Sequence, residues 1–201
     1  MTHHPRVLIQ RVSSRAVIER GGFSMIEVLS VIVIIGLLTA LALPKVSLAS
    51  YQANGAAQVV SSALAYAQRQ AISRQADTRV AFDMANNRLR IHEDRNNDNI
   101  IDADERVTFA NLPEGITFGR GSAAARAIGG QVVTFTRAQG VLPALIFRRD
   151  GTASEDGGVY LSTTAGLSVD RTADVRAVEV SRATGRATWF SYATGAWKER
   201  Q

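Results

Sequence analysis

A short acidic segment, residues 94–105, carries oxygen-bearing side chains at the spacing of a calcium loop. Positions 1, 3, 5, 9 and 12 of this segment hold Asp94, Asn96, Asp98, Asp102 and Glu105. Calcium loops take side-chain ligands from these positions and a backbone carbonyl from position 7, which is Ile100 here. Asn99 occupies position 6, where glycine is usual, and asparagine tolerates the left-handed backbone better than most residues. The segment is therefore a candidate calcium site, and bound calcium would stiffen it.

The flanks of residues 94–105 favour a second interpretation. Strand-like apolar runs lie on both sides, whereas the helix–loop–helix calcium motif needs two helices. A solvated acidic hairpin would need no ion. Both interpretations stay open from the sequence, and calcium is the only cofactor that the chain suggests.

A second chemical feature is a single carboxylate inside an apolar run. Residues 23–43 number 21, long enough for a helix to cross a bilayer core, and Glu27 is their only ionisable side chain. A charge inside a membrane-length segment costs about 2.5 to 3.5 kcal/mol on insertion scales, so we expect Glu27 to have a partner. The alternative is a carboxylate at a helix end that reaches back to the lipid headgroups.

The net charge of +5 is concentrated before this apolar run. The first 22 residues hold four arginines against one glutamate. Such an excess is typical of a positive-inside membrane anchor and is weak evidence for nucleic-acid binding. Gly21 and Gly22 precede the apolar run, whereas a secretory signal peptide is cut after a shorter apolar region. Cleavage after Gly22 would keep the apolar segment.

Composition and motifs argue against enzymatic chemistry. The 201 residues suffice for one globular domain plus an appendage, and the lack of cysteine excludes disulfides and thiolate chemistry. His92 is the only histidine outside the first few residues. No Gly-x-Ser-x-Gly elbow, phosphate-binding glycine loop or His-Glu-x-x-His zinc pattern occurs in the sequence. We predict no enzyme activity, because an ordinary single-span enzyme would need a turnover that no motif suggests.

Two helical segments must position these features. Residues 23–43 would form a transmembrane and assembly half, and residues 44–76 an amphipathic half after a kink or break at Pro44. Asn54 and Gly55 form a weak point at which the second half is expected to bend. The predicted buried face of the second half consists of Ala56, Val59, Val60, Ala63, Leu64, Ala67, Ala71 and Ile72. Together the halves would form a long spine.

The remaining chain, residues 77–201, predicts an antiparallel β domain. Nine short apolar or alternating runs are separated by turn residues and by no long helix. They are residues 80–82, 89–91, 107–109, 116–118, 132–135, 145–147, 159–161, 175–180 and 187–192. We expect two sheets, and therefore an α+β fold in which the helical spine packs on a β-sheet or sandwich domain. Residues 119–130 have poor strand character and are expected to form an exposed, mobile loop.

The amino-terminal residues resemble the type IV pilins and the pseudopilins of type II secretion. In that family a prepilin peptidase cuts after a glycine, the new terminal phenylalanine is N-methylated, and a glutamate stands fifth in the mature chain. Gly22, Phe23 and Glu27 match these three positions. Pro44 matches a proline that the family often has at mature position 22, whereas residues 24–25 replace the usual threonine and leucine. The resemblance therefore implies that the first 22 residues are a prepilin leader peptide.

Three downstream segments resemble the GspH/FimT family of minor pseudopilins and minor pilins. They are residues 67–74, 147–153 and 178–186. Together with the amino-terminal motif, the resemblance covers essentially the whole mature chain. The Gly-Thr-Ala and Thr-Gly-Arg pieces within these segments are typical of β-turns and do not indicate direct chemistry.

The resemblance implies a pilin-like fold and a structural minor pseudopilin of the type II secretion system. The precursor would cross the bacterial inner membrane once, with its carboxyl-terminal domain in the periplasm. After cleavage and N-methylation, it would assemble near the tip of a periplasmic pseudopilus that drives protein export. Its implied partners are the prepilin peptidase/N-methyltransferase, other major and minor pseudopilins, the inner-membrane assembly platform and exported protein cargo. In the filament, the amino group of Phe23 on a neighbouring subunit would meet the Glu27 carboxylate.

The alternative within the same resemblance is a minor type IV pilin that acts in pilus assembly, adhesion, twitching or DNA uptake. DNA binding would need clustered arginines. The candidates are Arg148, Arg149, Arg171, Arg176, Arg182 and Arg186. The carboxylates that lie among them in sequence are Asp150, Asp170, Asp174 and Glu179. Because these dilute the positive field, we do not expect DNA to be a partner.

Overall fold

A computed structural model describes residues 22–42 and 48–200 of the chain. The chain divides into two compact units, residues 1–46 and 47–201. The predicted leader as far as Gly21, and Pro44 with its predicted break, lie outside the described residues. The two units are therefore described one at a time.

Within the first unit, the first helix, α1, spans Met25–Ala42. Ser24 caps its start, because its hydroxyl oxygen accepts a hydrogen bond from the Ile26 N–H at 3.2 Å. The Ser24 carbonyl also accepts the N–H of Glu27 at 2.9 Å, so Glu27 lies in the first turn. No helix in the described ranges is long and apolar enough to cross a membrane.

The second unit begins with α2, which spans Leu48–Arg74. It runs without interruption through Asn54 and Gly55, where a bend was expected. Its buried residues are Ala53, Ala56, Ala57, Val60, Ala63, Leu64, Ala67 and Ala71. The predicted face is thus largely correct, but the assignment of Val59 and Ile72 to it is wrong, because they are 36% and 45% exposed.

Ten strands and one short helix, α3, follow α2 in the second unit. The strands are β1 (Asp77–Asp83), β2 (Arg88–Asp94), β3 (Val107–Asn111), β4 (Ile116–Phe118), β5 (Arg137–Gln139), β6 (Leu142–Phe147), β7 (Gly157–Thr163), β8 (Arg176–Val180), β9 (Ala187–Ala193) and β10 (Ala196–Arg200). The helix α3 is Thr164–Ser168, and a single 3-10 turn spans Thr172–Asp174.

These strands form two five-stranded sheets. The first has the order β3-β2-β1-β6-β5, and the second has the order β10-β9-β8-β7-β4. Every strand pair in them is antiparallel. The α+β class and the antiparallel β domain with two sheets are therefore confirmed.

One of the nine predicted strands is wrong. Residues 132–135 run beside β7 but form only a single bridge, between Val133 and Val159. The reason is that the Thr134 hydroxyl, and not a main-chain carbonyl, accepts the Gly158 N–H at 2.8 Å. A side chain thus replaces a rung of the strand ladder.

The loop of residues 119–130 has no strand, as predicted, but it is tied down at several points. Ala123 is fully buried. Arg126 forms an ion pair with Glu179, and its N–H donates to the Tyr160 hydroxyl at 2.8 Å. The Ser122 N–H donates to the Asp170 carboxylate at 2.9 Å, and hydrogen bonds from the Ser122 side chain and from this N–H hold the pKa of Asp170 below its usual value. Much of the loop is exposed, yet its centre is anchored on the second sheet.

The core of the second unit lies where α2 packs against both sheets. The small side chains of its buried face allow a close approach, and Leu64, 1% exposed, is the largest fully buried side chain among them. Phe82 of β1 stacks on Phe135 with 5.3 Å between ring centroids. One continuous apolar cluster therefore joins the helix to both sheets.

Truncation of α2 tests this arrangement. We expect Leu64→Ala to lower the free energy of unfolding by about 2 to 5 kcal/mol, because it removes buried methyl groups and leaves a cavity. Val59→Ala on the same helix is the control and should cost less than about 1.5 kcal/mol, because Val59 already contacts solvent. Urea unfolding of the chain in mild detergent, followed by near-ultraviolet circular dichroism, measures both. Equal losses would contradict this packing.

Candidate functional site

The predicted processing and assembly residues at the start of α1 are accessible. A side-chain carbon added at Gly22 would meet no atom within 4 Å. Phe23 is 80% exposed, and Glu27 is also exposed. The Glu27 carboxylate lies in the first turn of α1, where the positive end of the helix dipole stabilises it. No ion pair involving Glu27 occurs among the described residues.

Beyond Glu27, residues 28–38 of α1 present large apolar side chains to the surroundings. The large apolar residues from Phe23 to Leu38 are each between 48% and 91% exposed. A helix that is apolar all round is stable only when a hydrophobic medium or other helices cover it. This exposed surface therefore needs an apolar cover.

A separate group of predicted residues lies at the end of β2, where the acidic segment begins. The Asp94 side chain is fully buried. Its Oδ2 forms an ion pair with the Arg79 guanidinium and accepts the Asn99 N–H at 3.1 Å. Its Oδ1 is buried without a hydrogen-bond partner among the described residues. Only one of the two Asp94 carboxylate oxygens therefore has a hydrogen-bond partner among the described residues.

The middle of the segment is held by its own side chains. The Asn96 side-chain amide donates to the Asp98 carboxylate at 2.9 Å and to the Asp102 carboxylate at 3.0 Å. Asp98 in turn accepts the Ile100 N–H at 2.7 Å. The structure therefore brings together Asn96, Asp98 and Asp102, three of the side chains that the spacing selected.

Glu105 closes the segment and connects it to the first sheet. Its Oε1 accepts the Arg95 N–H at 2.8 Å, and its Oε2 lies 2.6 Å from Nε2 of the buried His92. Burial opposes ionisation of Glu105, but the hydrogen bonds from His92 and from backbone N–H groups outweigh it and hold the pKa below its usual value. The other ring nitrogen of His92 lies 2.6 Å from the Gln139 amide. The histidine predicted to be a strand residue is thus a buried link between the loop and β5.

In the described part of the chain, no group of three or more His, Cys, Asp or Glu side chains is placed to hold a metal ion. Asn96 separates the Asp98 and Asp102 carboxylates, and Asp94 and Glu105 already have protein partners. The calcium site stays a prediction.

The three downstream segments that resemble the GspH/FimT family meet at one side chain, which the sequence did not single out. Gln68 of α2 donates from its amide nitrogen to the carbonyls of Gly151 and Thr184, both at 2.7 Å. These carbonyls belong to the turns after β6 and after β8. One amide therefore ties the helix to a turn of each sheet.

Two glycines make this junction possible. Gly151 and Gly185 have positive φ angles of 84° and 63°. A side-chain carbon on Gly185 would lie 2.2 Å from the Gly151 carbonyl oxygen and 2.5 Å from the Gln68 amide nitrogen. Positive φ and close approach together require glycine at position 185. In the sequence, the only sign of this junction was the pair of turn motifs, Gly-Thr-Ala and Thr-Gly-Arg, that contain these glycines.

The arginines considered for DNA binding do not act alike. Arg176 is buried, and its guanidinium donates to Asn54 Oδ1 at 2.7 Å and to the Ser50 carbonyl at 3.2 Å. Burial lowers the pKa of Arg176, and the nearby Asp174 partly offsets this. Arg171 lies 3.6 Å from Asp174. Arg176 thus holds the beginning of α2 and is unavailable to a nucleic acid.

An open groove of about 560 Å³ lies between α2 and the β2–β3 edge of the first sheet. Its walls are mainly apolar and include Val59, Tyr66, Ile91 and Ala110. Its lining residues include no Asp, Glu, His, Lys or Arg.

Comparison with known proteins agrees with the predicted family. Residues 56–184 match the family model described as type II transport protein GspH. Among solved structures, the minor pseudopilin EpsH from the type 2 secretion system of Vibrio cholerae is similar at 17% identity, with a TM-score of 0.40. The similarity covers 72% of this chain and 99% of that one. No curated protein matches the chain.

The Gln68 junction yields a stability prediction. Gln68→Glu keeps the side-chain shape but turns acceptor oxygens toward the two carbonyls, so we expect the free energy of unfolding to fall by about 1 to 3 kcal/mol. Gln58→Glu, an exposed position on the same helix, introduces the same charge and should change stability by less than about 0.5 kcal/mol. Thermal unfolding of both variants compares them. A neutral Gln68→Glu would contradict the role assigned to the amide.

Proposed function

Because the chain belongs to the type II transport protein GspH family, we propose that it is a minor pseudopilin of a type II secretion system. It acts as a structural subunit near the tip of a periplasmic pseudopilus that drives protein export. The observation that carries this proposal is α1, an exposed apolar helix with one carboxylate in its first turn. The family match begins at residue 56, so the features of α1 are separate support.

Processing requires an accessible cleavage point before the helix. The peptide bond between Gly22 and Phe23 lies outside any helix or strand, just ahead of the Ser24 cap, and both residues are exposed. A prepilin peptidase cuts this bond and methylates the new amino group of Phe23. Residues 1–22 are then the discarded leader.

The precursor is held in the inner membrane before assembly, with its second unit in the periplasm. Support comes from the apolar run of 21 residues and from the arginines that precede it. The positive leader keeps its end of the chain in the cytoplasm.

Assembly supplies the cover that α1 lacks. Apolar helices of neighbouring subunits pack around it, and Glu27 then enters a medium in which an unpaired charge is costly. The amino group of Phe23 on a neighbouring subunit is a cation of the right size and position in the sequence. Pairing between subunits therefore sets the axial register of the filament, and Pro44 lets the chain turn out of the apolar layer.

The second unit makes the contacts that distinguish a minor subunit. Its partners are the other major and minor pseudopilins, the assembly platform of the inner membrane and the exported protein. Its groove between α2 and the β2–β3 edge has mainly apolar walls.

Processing is tested by intact mass. We expect chains from cells with prepilin peptidase to begin at methylated Phe23, and chains from cells without it to keep the leader. Gly22→Val should block cleavage without disturbing the chain itself, because an added side-chain carbon meets no atom of the chain within 4 Å and would obstruct only the peptidase. Gly21→Val, one residue earlier, is the matched control and should still be cut. Cleavage after Leu43, or no cleavage, would refute the proposal that the chain assembles into a filament.

Assembly is tested at Glu27. Removing one partner of a buried ion pair costs about 3 to 5 kcal/mol, so Glu27→Gln should lower cross-linking to other pseudopilins at least about tenfold. Cleavage after Gly22 should be unchanged. Glu114→Gln removes an exposed carboxylate from the β domain and should leave assembly unchanged. Cross-linking in cells and export of a secreted protein into the medium measure both variants. Normal assembly of Glu27→Gln would refute the pairing.

A further inference from the structure

We propose that the outer edge of β3 binds a β-strand of another pseudopilin, which extends the first sheet and places its alternate apolar side chains in the groove beside α2. The inference rests on the proposed function, because it takes the partner to be a neighbouring subunit of the filament. It concerns the second unit alone and is separate from the pairing of Glu27 with Phe23.

The register between β3 and β2 determines which main-chain groups of β3 face β2. Among the described strands, β2 is the only neighbour of β3. At one end of the pair, the Glu93 N–H donates to the Arg106 carbonyl at 3.0 Å. At the other end, the Leu112 N–H donates to the Asn87 carbonyl at 2.9 Å. Because every second residue of an antiparallel strand bonds to its partner, the even-numbered residues of β3 face β2.

The odd-numbered residues of β3 therefore point their main-chain groups away from β2. They are Val107, Phe109 and Asn111, and no described residue donates or accepts a main-chain hydrogen bond on that side. Unpaired N–H and C=O groups at a two-residue spacing match the main chain of an extended segment. A helix could not pair with them, because its own main-chain groups are already bonded. The partner that this edge fits is a strand.

The other sheet edges formed by described strands have features that discourage pairing. The strands β4 and β5 have only three residues each, and β10 carries charged side chains at all of residues 198–200. Shortness and charge both protect an edge against an added strand. By contrast, β3 has five residues and no charged side chain, and Phe109 at its centre is 47% exposed. The edge of β3 is thus the one open to a partner.

The groove beside this edge specifies the side chains of the partner strand. Thr108 and Ala110 of β3 line the groove, together with Val59 and Tyr66 of α2. An added strand continues the pleat of the sheet, so its alternate side chains point to the same face as Thr108 and Ala110. The space there is about 560 Å³ and its walls are mainly apolar. The partner strand therefore carries apolar side chains at every second position.

Hydrogen exchange resolved to single amides tests the pairing. The full chain in mild detergent is compared alone and after assembly with the other pseudopilins of its system. In the chain alone, we expect fast exchange at Val107 and Phe109 and slow exchange at Thr108 and Ala110, because only the latter two face β2. In the assembly, exchange at Val107 and Phe109 should slow at least about tenfold.

The possible results separate this inference from the filament role. Assembly without slower exchange at Val107 and Phe109, as a helix lying in the groove would give, overturns the inference and leaves the filament role intact. Slow exchange at these amides in the chain alone, together with the mass of a dimer, would make a second copy the partner and would also overturn it. If the wild-type chain assembles with no other pseudopilin, the inference and the filament role fail together.

A pair of variants at one position tests the main-chain hydrogen bonds. Phe109→Pro removes an outward N–H at an edge position, where a strand tolerates proline. Phe109→Ala also removes the ring but keeps the N–H. Cross-linking to the other pseudopilins should be at least about fivefold weaker for Phe109→Pro than for Phe109→Ala. Equal cross-linking by the two variants would contradict strand pairing, and the melting temperature of each chain alone verifies that it folds.

A second pair of variants tests the groove. Val59→Glu places a charge on the apolar wall and should weaken cross-linking at least about tenfold. Val141→Glu is the same substitution at a residue that is 96% exposed and lies outside the groove, and it should change cross-linking less than about twofold. Equal effects would show that the groove does not receive the partner. The exchange measurement uses the wild-type chain, so it decides the proposal even where a variant does not fold.

Discussion

The burial of one alanine-rich face of α2 against both sheets is the constraint on which the second unit depends. Two five-stranded antiparallel sheets need a shared apolar layer, and the small side chains of this face let the helix lie close to both. Polar hydrogen bonds near the beginning of α2 and in its later part fix its position along the two sheets. Arg176 holds the beginning of α2 through Asn54 and Ser50, and Gln68 holds its later part through two turn carbonyls.

The sequence predicted the parts of the fold that alternation or helical spacing can reveal. Eight of the nine predicted runs lie in strands, and six of the eight predicted residues on the α2 face are buried. The exceptions have physical causes. The edge strands β5 and β10 were missed because these two carry mainly polar side chains, as in residues 198–200, and show no apolar alternation. Residues 132–135 have the pattern of a strand, but the Thr134 hydroxyl accepts the Gly158 N–H in place of a main-chain carbonyl.

The sequence revealed a group of residues when its members lie close together along the chain, and did not reveal one whose members lie far apart. The acidic segment was visible because its oxygens follow one another along twelve residues, and several of them do lie together. The Gln68 junction was invisible because it unites positions 83 and 116 residues apart. The role of His92 was hidden for the same reason, since Gln139 lies 47 residues away. The family resemblance identified the three segments that meet at Gln68, but it did not predict that they contact one another.

The short link between α2 and β1 determines how a pulling force would travel through the second unit. Only Gln75 and Ala76 separate the helix from the strand, and the Gln75 side chain donates back to the Ile72 carbonyl at 2.7 Å. The strand β1 is the central member of its sheet, with seven residue pairs to β2 and four to β6. Tension that reaches the end of α2 therefore passes directly into the central strand of the first sheet, which hydrogen bonds hold on both sides. An outer strand would be held on one side only.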